Sequence, residues 1–465
     1  MKNITFFLAS FLLFCSLNAQ EIILNSGGGE YSVFKNKTEC VNDKQRQAIF
    51  DAIELNRIDL EQRNILQRRE QQLIPHPLFV WPVVKNPSAP YSNVWSISNY
   101  VDHNPNYPNF IQDWACGDRT YDTSSGYNHK GIDIYTWPFS WYQMDNEQAW
   151  VVAAADGVIV GKNNGNYDRN CSFSSLNWNA VYIQHSDGSV AWYGHLKNGS
   201  LTSKGIGETV QAGEKMGVVG SSGNSTGPHL HFEVYDLNNQ LVDTYQGTCN
   251  TWSSSPDSWW INQKPYQDPK INAVLTHSQQ INFNNCPQTE STYLDDNFAA
   301  GSSVIIAIYL ADQLPGTSGL IQIVRPDNSV ASSFTKTFTD FYYGSWWYWT
   351  YSSVTFNQPG VWKLRFTYFG NVVEHNFEYG TLANQSFIDD SPFQIYPNPT
   401  KDFIVIENQN NIKMKEIKLV DLSGKTIFNF DIMERKLDFS GLSAGVYLLT
   451  INTEEGVFKT KIVKE

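Results

Sequence analysis

The chain has 465 residues, of which 41% are hydrophobic, 14% aromatic and 17% charged, and its formal net charge is −13 at pH 7. This length exceeds what one hydrophobic core usually serves, so we expect two to four folded units. The acidic balance, with no basic cluster in the sequence, argues against a nucleic-acid partner, and the composition argues against a disordered or coiled chain.

The N-terminus has the pattern of an export signal. Lys2 precedes an apolar stretch over about residues 4–17, and Ala19 is a small residue at a suitable cleavage position. We therefore predict a signal peptide over residues 1–19. The apolar stretch is shorter than the roughly 20 residues that a membrane-spanning helix needs, and no later segment reaches that length, so we expect a soluble mature protein without a transmembrane segment.

The next segment, residues 20–77, contains one polar helical pattern. Apolar residues recur at loosely helical spacing from about Val41 to Gln72, without Gly or Pro, and Pro75 ends the pattern. We predict one helix here. It could be a propeptide or a spacer, and the sequence does not decide between them.

Short β-rich runs separated by Gly, Asn, Asp and Ser begin near residue 78 and predict a mainly β fold. We expect an antiparallel β-sheet enzyme domain over residues 78–265. A β-sandwich over residues 285–380 is expected to be a separate accessory domain, and a small β-sandwich follows over residues 391–465.

Five cysteines follow the predicted signal peptide: Cys40, Cys116, Cys171, Cys249 and Cys286. Their dispersed spacing resembles no metal-binding cluster, and an exported chain enters an oxidising environment. We expect one or two disulfides, with the pairing left open.

Two motifs carry residue types that are able to bind zinc. The first, His129-Lys-Gly-Ile-Asp133, places an imidazole and a carboxylate four residues apart. The second, Gly227-Pro-His-Leu-His231, puts two histidines at alternate positions of a strand-like run, which directs both to one face. A catalytic zinc site uses three protein ligands and an open fourth position. The spacing leaves four histidines as candidates for completing the set: His185, His195, His229 and His231.

Three ordered motifs resemble those of the lysostaphin-like and β-lytic zinc endopeptidases, also called LytM-type peptidases: His129-x-Gly-x-Asp133, Tyr193-Gly-His195-Leu, and Gly220-x-x-Gly-Asn-Ser-Thr-Gly-Pro-His229-Leu-His231. The resemblance covers roughly residues 120–240. It implies that one zinc ion is bound by His129, Asp133 and His231, while His195 and His229 stay unligated as acid and base. The assignment of these two roles is left open. It also implies hydrolysis of peptide bonds in bacterial peptidoglycan, in cross-links or stem peptides, or in Gly-rich proteins.

Residues around these motifs receive less specific interpretations. His185 ends a strand before a Gly-containing turn and is interpreted as structural. Tyr121 and Tyr127 precede the first motif and are candidates for stabilising the transition state, although spacing fixes neither position.

The aromatic run from Phe341 to Trp349 is interpreted first as sandwich core and alternatively as a surface that grips sugars or polymers. The tail, with Tyr396-Pro-Asn-Pro-Thr400 and Gly445-Val-Tyr-Leu448, resembles the sorting domain of type IX secretion substrates. That resemblance implies export through the periplasm and outer membrane by the type IX machinery, to the cell surface or the medium.

The sequence thus predicts a secreted zinc metalloendopeptidase. Two alternatives stay open, namely a catalytically silent binding or regulatory module and a surface adhesin that uses the aromatic sandwich. The sequence makes no prediction about the oligomeric state.

Overall fold

The computed structural model describes residues 23–31, 38–66, 75–283, 286, 290–380, 393–408, 412–421, 425–453 and 457–465. The predicted signal peptide lies outside the described residues, as does the part of the predicted helix beyond residue 66. The chain forms two compact units, residues 1–380 and residues 381–465. Within the described residues, no helix combines the length and the apolar character needed to cross a membrane.

The first part of the larger unit carries two helices among short strands. In chain order these are β1 (Ile23–Glu30), α1 (Asp43–Gln62), β2 (Val83–Lys85), β3 (Trp95–Asn99), β4 (Ile132–Thr136), α2 (Ser140–Asp145), β5 (Ala149–Val152), β6 (Gly157–Asn163), β7 (Ala180–Gln184), β8 (Val190–Gly194), β9 (Thr209–Val210), β10 (Lys215–Val218), β11 (His229–Tyr235) and β12 (Leu241–Val242).

Most of these strands form one antiparallel sheet, here called the central sheet, in the order β3-β4-β11-β8-β7-β6-β9, with β12 also paired to β11. The strands β10, β5 and β2 form a smaller sheet. Strand β11 is buried along its whole length, because both faces of the central sheet are covered. Leu230, Phe232 and Val234 point to the main core, and the alternate residues point to the opposite face.

Helix α1 packs on that opposite face of the central sheet. Asn42 caps the helix in a reciprocal pair with Gln45, in which each side chain bonds the other residue's backbone N–H. The apolar side of the helix, with Ile49, Ile53 and Leu60, packs into one cluster with residues of the sheet. The sheet residues of this cluster include Val160, Tyr182 and Trp192. The observed helix ends at Gln62, so the prediction of a helix reaching to about Gln72 was too long.

The larger unit continues with the strands of a β-sandwich. They are β13 (Lys270–His277), β14 (Asn297–Phe298), β15 (Val304–Gln313), β16 (Ser318–Val324), β17 (Val330–Thr337), β18 (Tyr342–Tyr351), β19 (Gly360–Tyr368) and β20 (Asn371–Tyr379), with a 3-10 helix at Ser353–Thr355. One sheet has the order β1-β18-β15-β13 and the other β14-β20-β19-β16-β17.

The first sheet of the sandwich packs against two cores, the sandwich core on one face and the main core of the central sheet on the other. Strand β15 is buried at every position, with Ala307 and Tyr309 in the main core and Ile306 and Ile308 in the sandwich core. Strand β18 contributes its aromatic run in the same way: Trp346 and Tyr348 pack against the main core, and Trp347 and Trp349 against the sandwich core. The aromatic run therefore serves packing on both faces.

Two disulfides join distant parts of the larger unit, Cys116–Cys249 and Cys171–Cys286. Among the described residues, Cys40 is the free cysteine, and it is buried.

The smaller unit contains β21 (Phe393–Tyr396), β22 (Phe403–Asn408), β23 (Met414–Asp421), β24 (Thr426–Phe430), β25 (Lys436–Asp438), β26 (Gly445–Thr453) and β27 (Val457–Lys464). They form two antiparallel sheets, β21-β22-β25 and β24-β23-β26-β27, around their own apolar core. The prediction of a mainly β fold is confirmed.

Candidate metal centre

Three adjacent strands of the central sheet bring the sequence motifs together. Strand β11 lies between β4 and β8, and its His231 is opposite Asp133 on one side and Gly194 on the other. His195 directly follows β8, and its backbone has a positive φ of 63°. The three motifs, spread over about a hundred residues of the chain, therefore meet at one place because they occupy neighbouring strands.

Three side chains present metal-binding atoms to a single point. His129 Nε2 lies 3.1 Å from Asp133 Oδ2, and His231 Nδ1 lies 2.7 Å from Asp133 Oδ1. The two imidazole nitrogens are 3.4 Å apart. His129 and His231 are fully buried and Asp133 nearly so. Two imidazoles and one carboxylate form a donor set that suits zinc.

The other ring nitrogens of the two histidines have fixed partners. His129 Nδ1 donates to the carbonyl of Tyr100 at 2.7 Å, and His231 Nε2 donates to Glu233 Oε1 at 2.7 Å. Each of these bonds leaves the opposite nitrogen with its lone pair toward the shared point. A hydrogen bond to the ring nitrogen that does not bind the metal orients a metal-binding histidine. The residues present therefore fit a bound metal ion.

Glu233 connects the site to helix α1. Its carboxylate is ion-paired with Arg46 and accepts a hydrogen bond from the Tyr235 hydroxyl at 2.6 Å. Burial raises the pKa of Glu233, but the Arg46 and His231 charges outweigh burial and hold that pKa below its usual range. Glu233 is thus a buried, ionised partner for His231.

The charge balance of the donor set is also set by proximity. Burial lowers the pKa of His129, but the neighbouring Asp133 carboxylate outweighs it and raises that pKa to about 9. The same pairing, against the effect of burial, holds the pKa of Asp133 well below its usual range. A carboxylate surrounded by two imidazoles is in the ionised form that metal binding requires.

His195 and His229 lie beside this donor set. Their ring centroids are 4.4 Å apart, and His229 Nε2 is 3.7 Å from Asp133 Oδ1. His195 Nδ1 donates to the Ser222 carbonyl at 2.6 Å, and within the described residues its buried Nε2 has no hydrogen-bond partner. Burial, reinforced by the His229 charge, lowers the pKa of His195. A neutral imidazole with a free nitrogen can accept a proton.

Cys40 also lies in this cluster, although the spacing of the cysteines in the sequence resembles no metal-binding cluster. Its thiol and the donor atoms of His129, Asp133 and His231 all lie within 4.8 Å of one another. Spacing in the sequence gave no sign of this, because residue 40 reaches the site only through the docking of helix α1. Glu233 was missed as well, although its alternate position after His229 and His231 places it on the same face.

Two parts of the chain match known protein families. Residues 127–244, which contain all three motifs, match the model of peptidase family M23. The chain carries a peptidase family M23 domain. Residues 394–465 match the model of a secretion system C-terminal sorting domain.

Several curated relatives align with the M23 domain. The DD-carboxypeptidase/endopeptidase Mpg of Neisseria meningitidis is 44% identical over 94 residues, which are 20% of this chain and 18% of the relative. The peptidoglycan DD-endopeptidase ShyC of Vibrio cholerae is 37% identical over 81 residues, 17% and 16% of the two chains. The glycyl-glycine endopeptidase ALE-1 of Staphylococcus capitis is 32% identical over 109 residues, 23% and 25%. The chain thus spans a quarter or less of the length of these relatives.

Among solved structures, the dimeric latent PorU of Porphyromonas gingivalis matches with 12% identity and a TM-score of 0.16, over 67% of this chain and 34% of that one. This similarity is too low to indicate a shared fold.

Other predicted residues of the M23 domain lie at different distances from the cluster. Tyr121 stacks on the His129 ring with centroids 4.4 Å apart. The ring of Tyr127 lies 6.0 Å from the ring of Tyr121, measured between centroids. His185 lies outside the cluster, where its Nδ1 bonds the Asp156 carbonyl at 2.8 Å and its ring contacts Phe79.

Gly131, inside the first motif, is required by close approach. A Cβ atom at this position would lie 2.8 Å from the His231 ring and 2.8 Å from the Phe232 carbonyl oxygen. Contacts this short do not occur, so any side chain would displace the His231 imidazole or the strand that carries it. The glycine of the motif therefore protects the geometry of the donor set.

Proposed function

We propose that this chain is a secreted zinc metalloendopeptidase that cleaves peptide bonds of bacterial peptidoglycan. The observation that carries the proposal is the convergence of His129 Nε2, Asp133 and His231 Nδ1 within an M23 domain, with two further histidines beside them. In this proposal the three convergent residues hold one zinc ion, and His195 and His229 are the catalytic residues.

A zinc ion held there would polarise the scissile carbonyl and lower the pKa of a water molecule. His195 is the better candidate for the base, since burial favours its neutral form and the Ser222 carbonyl holds its Nδ1, which leaves Nε2 to take the proton. His229, with Nδ1 2.9 Å from the Gly227 carbonyl, is the candidate for donating a proton to the leaving amine or stabilising the oxyanion.

The relatives support a cell-wall substrate. One is named as a DD-carboxypeptidase/endopeptidase, one as a peptidoglycan DD-endopeptidase and one as a glycyl-glycine endopeptidase, and the first two have the higher identities. We therefore place the peptide cross-links and stem peptides of peptidoglycan first, with Gly-rich peptides as a second substrate class.

The sorting domain supports export. We propose that the tail over residues 391–465 addresses the chain to the type IX machinery, that residues 1–19 act as the signal peptide, and that the product reaches the surface or the medium. We also propose that residues 78–265 form the peptidase domain and residues 285–380 an accessory sandwich.

The test is hydrolysis of purified peptidoglycan by the zinc-loaded full chain, with released products identified by mass spectrometry. Because the Cys40 thiol lies in the site, the assay compares the wild type with Cys40→Ala, each with and without His231→Ala. His375→Ala, in the sandwich strand β20, is the matched histidine control.

We expect cross-link cleavage by Cys40→Ala and by Cys40→Ala that carries the His375→Ala control, and none by the His231→Ala chains. Defined cross-linked muropeptides and a pentaglycine peptide, run in parallel, separate the two substrate classes. If neither substrate is cleaved by wild type or Cys40→Ala at saturating zinc, the enzyme assignment is wrong and a binding role takes its place.

A further inference from the structure

The thiol of Cys40 lies within the candidate site. Its side chain is buried, with 6% of the residue exposed. The sulfur belongs to two overlapping groups, one with His129, Asp133 and His231 and one with His195 and His229, and within each group all ligand atoms are mutually within 4.8 Å. The thiol therefore faces both the proposed ligands and the proposed catalytic histidines, which is where substrate must enter.

The two backbone carbonyls before Cys40 accept hydrogen bonds from side chains of the site. We call residues 38–40 the strap. The Tyr121 hydroxyl donates to the Thr38 carbonyl at 2.9 Å, and Asn224 Nδ2 donates to the Glu39 carbonyl at 2.6 Å. The Cys40 sulfur lies 3.6 Å from the same tyrosine hydroxyl. Peptide-binding clefts also hold their ligands through main-chain hydrogen bonds.

Little room is left above the site while the strap is in place. The cavity between the strap and the loops of the site has a volume of about 30 Å³, and its lining includes Thr38, Cys40, Tyr121, Asp133, Asn224 and His229. A space of this size holds water but not a peptide. The strap therefore excludes substrate in the structure as it stands.

Both flanks of the strap are docked on the larger unit. After the strap, helix α1 is fixed by the Arg46–Glu233 ion pair and by Gln45 Nε2, which donates to the Ser175 and Leu176 carbonyls at 3.3 Å. Before it, strand β1 pairs with β18, with Glu30 opposite Ser345. Opening the site thus requires the strap to leave the cleft, against the hold of these two flanks and of the contacts made by Cys40.

We propose that Cys40 is a fourth protein ligand of the zinc ion, and that residues 38–66 keep the unprocessed chain latent by closing the position that catalysis needs. This inference rests on the proposed zinc site. Zinc binds thiolate, imidazole and carboxylate together in tetrahedral sites, and a closed four-ligand shell is typical of inactive, structural zinc. The thiol coordinates as the thiolate, so its proton leaves to solvent. Cys116, Cys171, Cys249 and Cys286 are consumed in disulfides, which leaves Cys40 as the free thiol of the described residues.

X-ray absorption at the zinc edge of the full chain tests this directly. We expect one zinc–sulfur distance of about 2.3 Å in the wild type and its loss in Cys40→Ala, with one zinc retained in both. Cys40→Ser is the second variant, because it keeps the size of the side chain and a hydroxyl near Tyr121 while removing the sulfur. The His195→Ala chain is the control that should keep the sulfur distance.

Hydrolysis of peptidoglycan by the same preparations completes the test. Loss of the sulfur distance together with a several-fold rise in hydrolysis in Cys40→Ala supports the proposal. Stoichiometric zinc with only nitrogen and oxygen neighbours in the wild type overturns the latency proposal and leaves the proposed function intact. A zinc–sulfur distance without hydrolysis by any variant supports Cys40 as ligand but contradicts the proposed function, and chains that retain no zinc contradict both.

Discussion

Glu233 accepts a hydrogen bond from His231 Nε2 at 2.7 Å while it is ion-paired with Arg46 of helix α1. One carboxylate therefore orients a proposed zinc ligand and anchors the segment that covers the site. This relationship joins metal binding to the docking of helix α1, so a change at Glu233 should affect both.

Replacing Glu233 by Gln should weaken zinc binding about 10- to 100-fold. The Glu233 carboxylate makes His231 a stronger base and fixes the direction of its ring, and an amide would do both less well. The measurement is competition for zinc with a chelating dye. Glu374→Gln, which makes the same change at an exposed ion pair of the sandwich, is the control. Equal zinc affinity in both variants would show that the Glu233 bond does not support the metal.

Replacing His195 by Ala should lower kcat by roughly 10²- to 10⁴-fold, the usual contribution of a general base. Zinc content should stay at the wild-type level, because His195 lies beside the ligand set rather than within it. Metal analysis and steady-state kinetics on the Cys40→Ala background separate the two effects. Loss of zinc in His195→Ala would instead identify this histidine as a ligand.

Replacing Gly131 by Ala should weaken zinc binding and reduce hydrolysis, because the new methyl group would lie 2.8 Å from the His231 ring. Gly205→Ala is a matched control, since a Cβ there meets only Glu208 at 3.6 Å. Zinc titration and thermal unfolding of both variants are the measurements. A Gly131→Ala chain that binds zinc as the wild type does would refute the role of close packing in this motif.

The stability of the larger unit should depend on the protonation of His277. Burial lowers the pKa of His277 to about 4, and the neutral ring donates from Nδ1 to the Thr292 carbonyl and accepts at Nε2 from the Tyr309 hydroxyl. Because the folded pKa lies below the ordinary value of 6.5, the stabilisation is fully present above pH 6.5 and is lost as the pH falls toward 4.

The expected loss is roughly 3 kcal/mol in the free energy of unfolding. Urea denaturation of the wild type and His277→Gln between pH 7.5 and pH 4.5 measures it, and the variant should show the shallower dependence on pH. Parallel pH profiles for the two proteins would exclude His277 as the responsible group.

Much of the site could be predicted because its information is local. The first motif places His129 and Asp133 four residues apart, and the period of a strand places His229 and His231 on one face. The same period extends to Glu233, so this partner was predictable in principle. The resemblance to a known family then brought His195 into the same group.

Other features could not be predicted because they depend on tertiary contacts. Cys40 is about ninety residues from the first motif, and no spacing rule connects them. Strand β1 within the predicted helical segment was missed because its partner, β18, is some three hundred residues away. The aromatic run on β18 was ambiguous because its alternate residues enter two different cores, a pattern that period two alone cannot distinguish from an exposed face.

The most direct test of the account is anomalous diffraction at the zinc edge from crystals of the full chain. We predict one anomalous peak per chain, between His129 Nε2, the Asp133 carboxylate and His231 Nδ1, and no peak there in crystals of Cys40→Ala that also carries His231→Ala. A wild-type crystal grown with zinc that shows no peak at this position, or a peak that persists in the double variant, would contradict the metal centre proposed for this M23 domain.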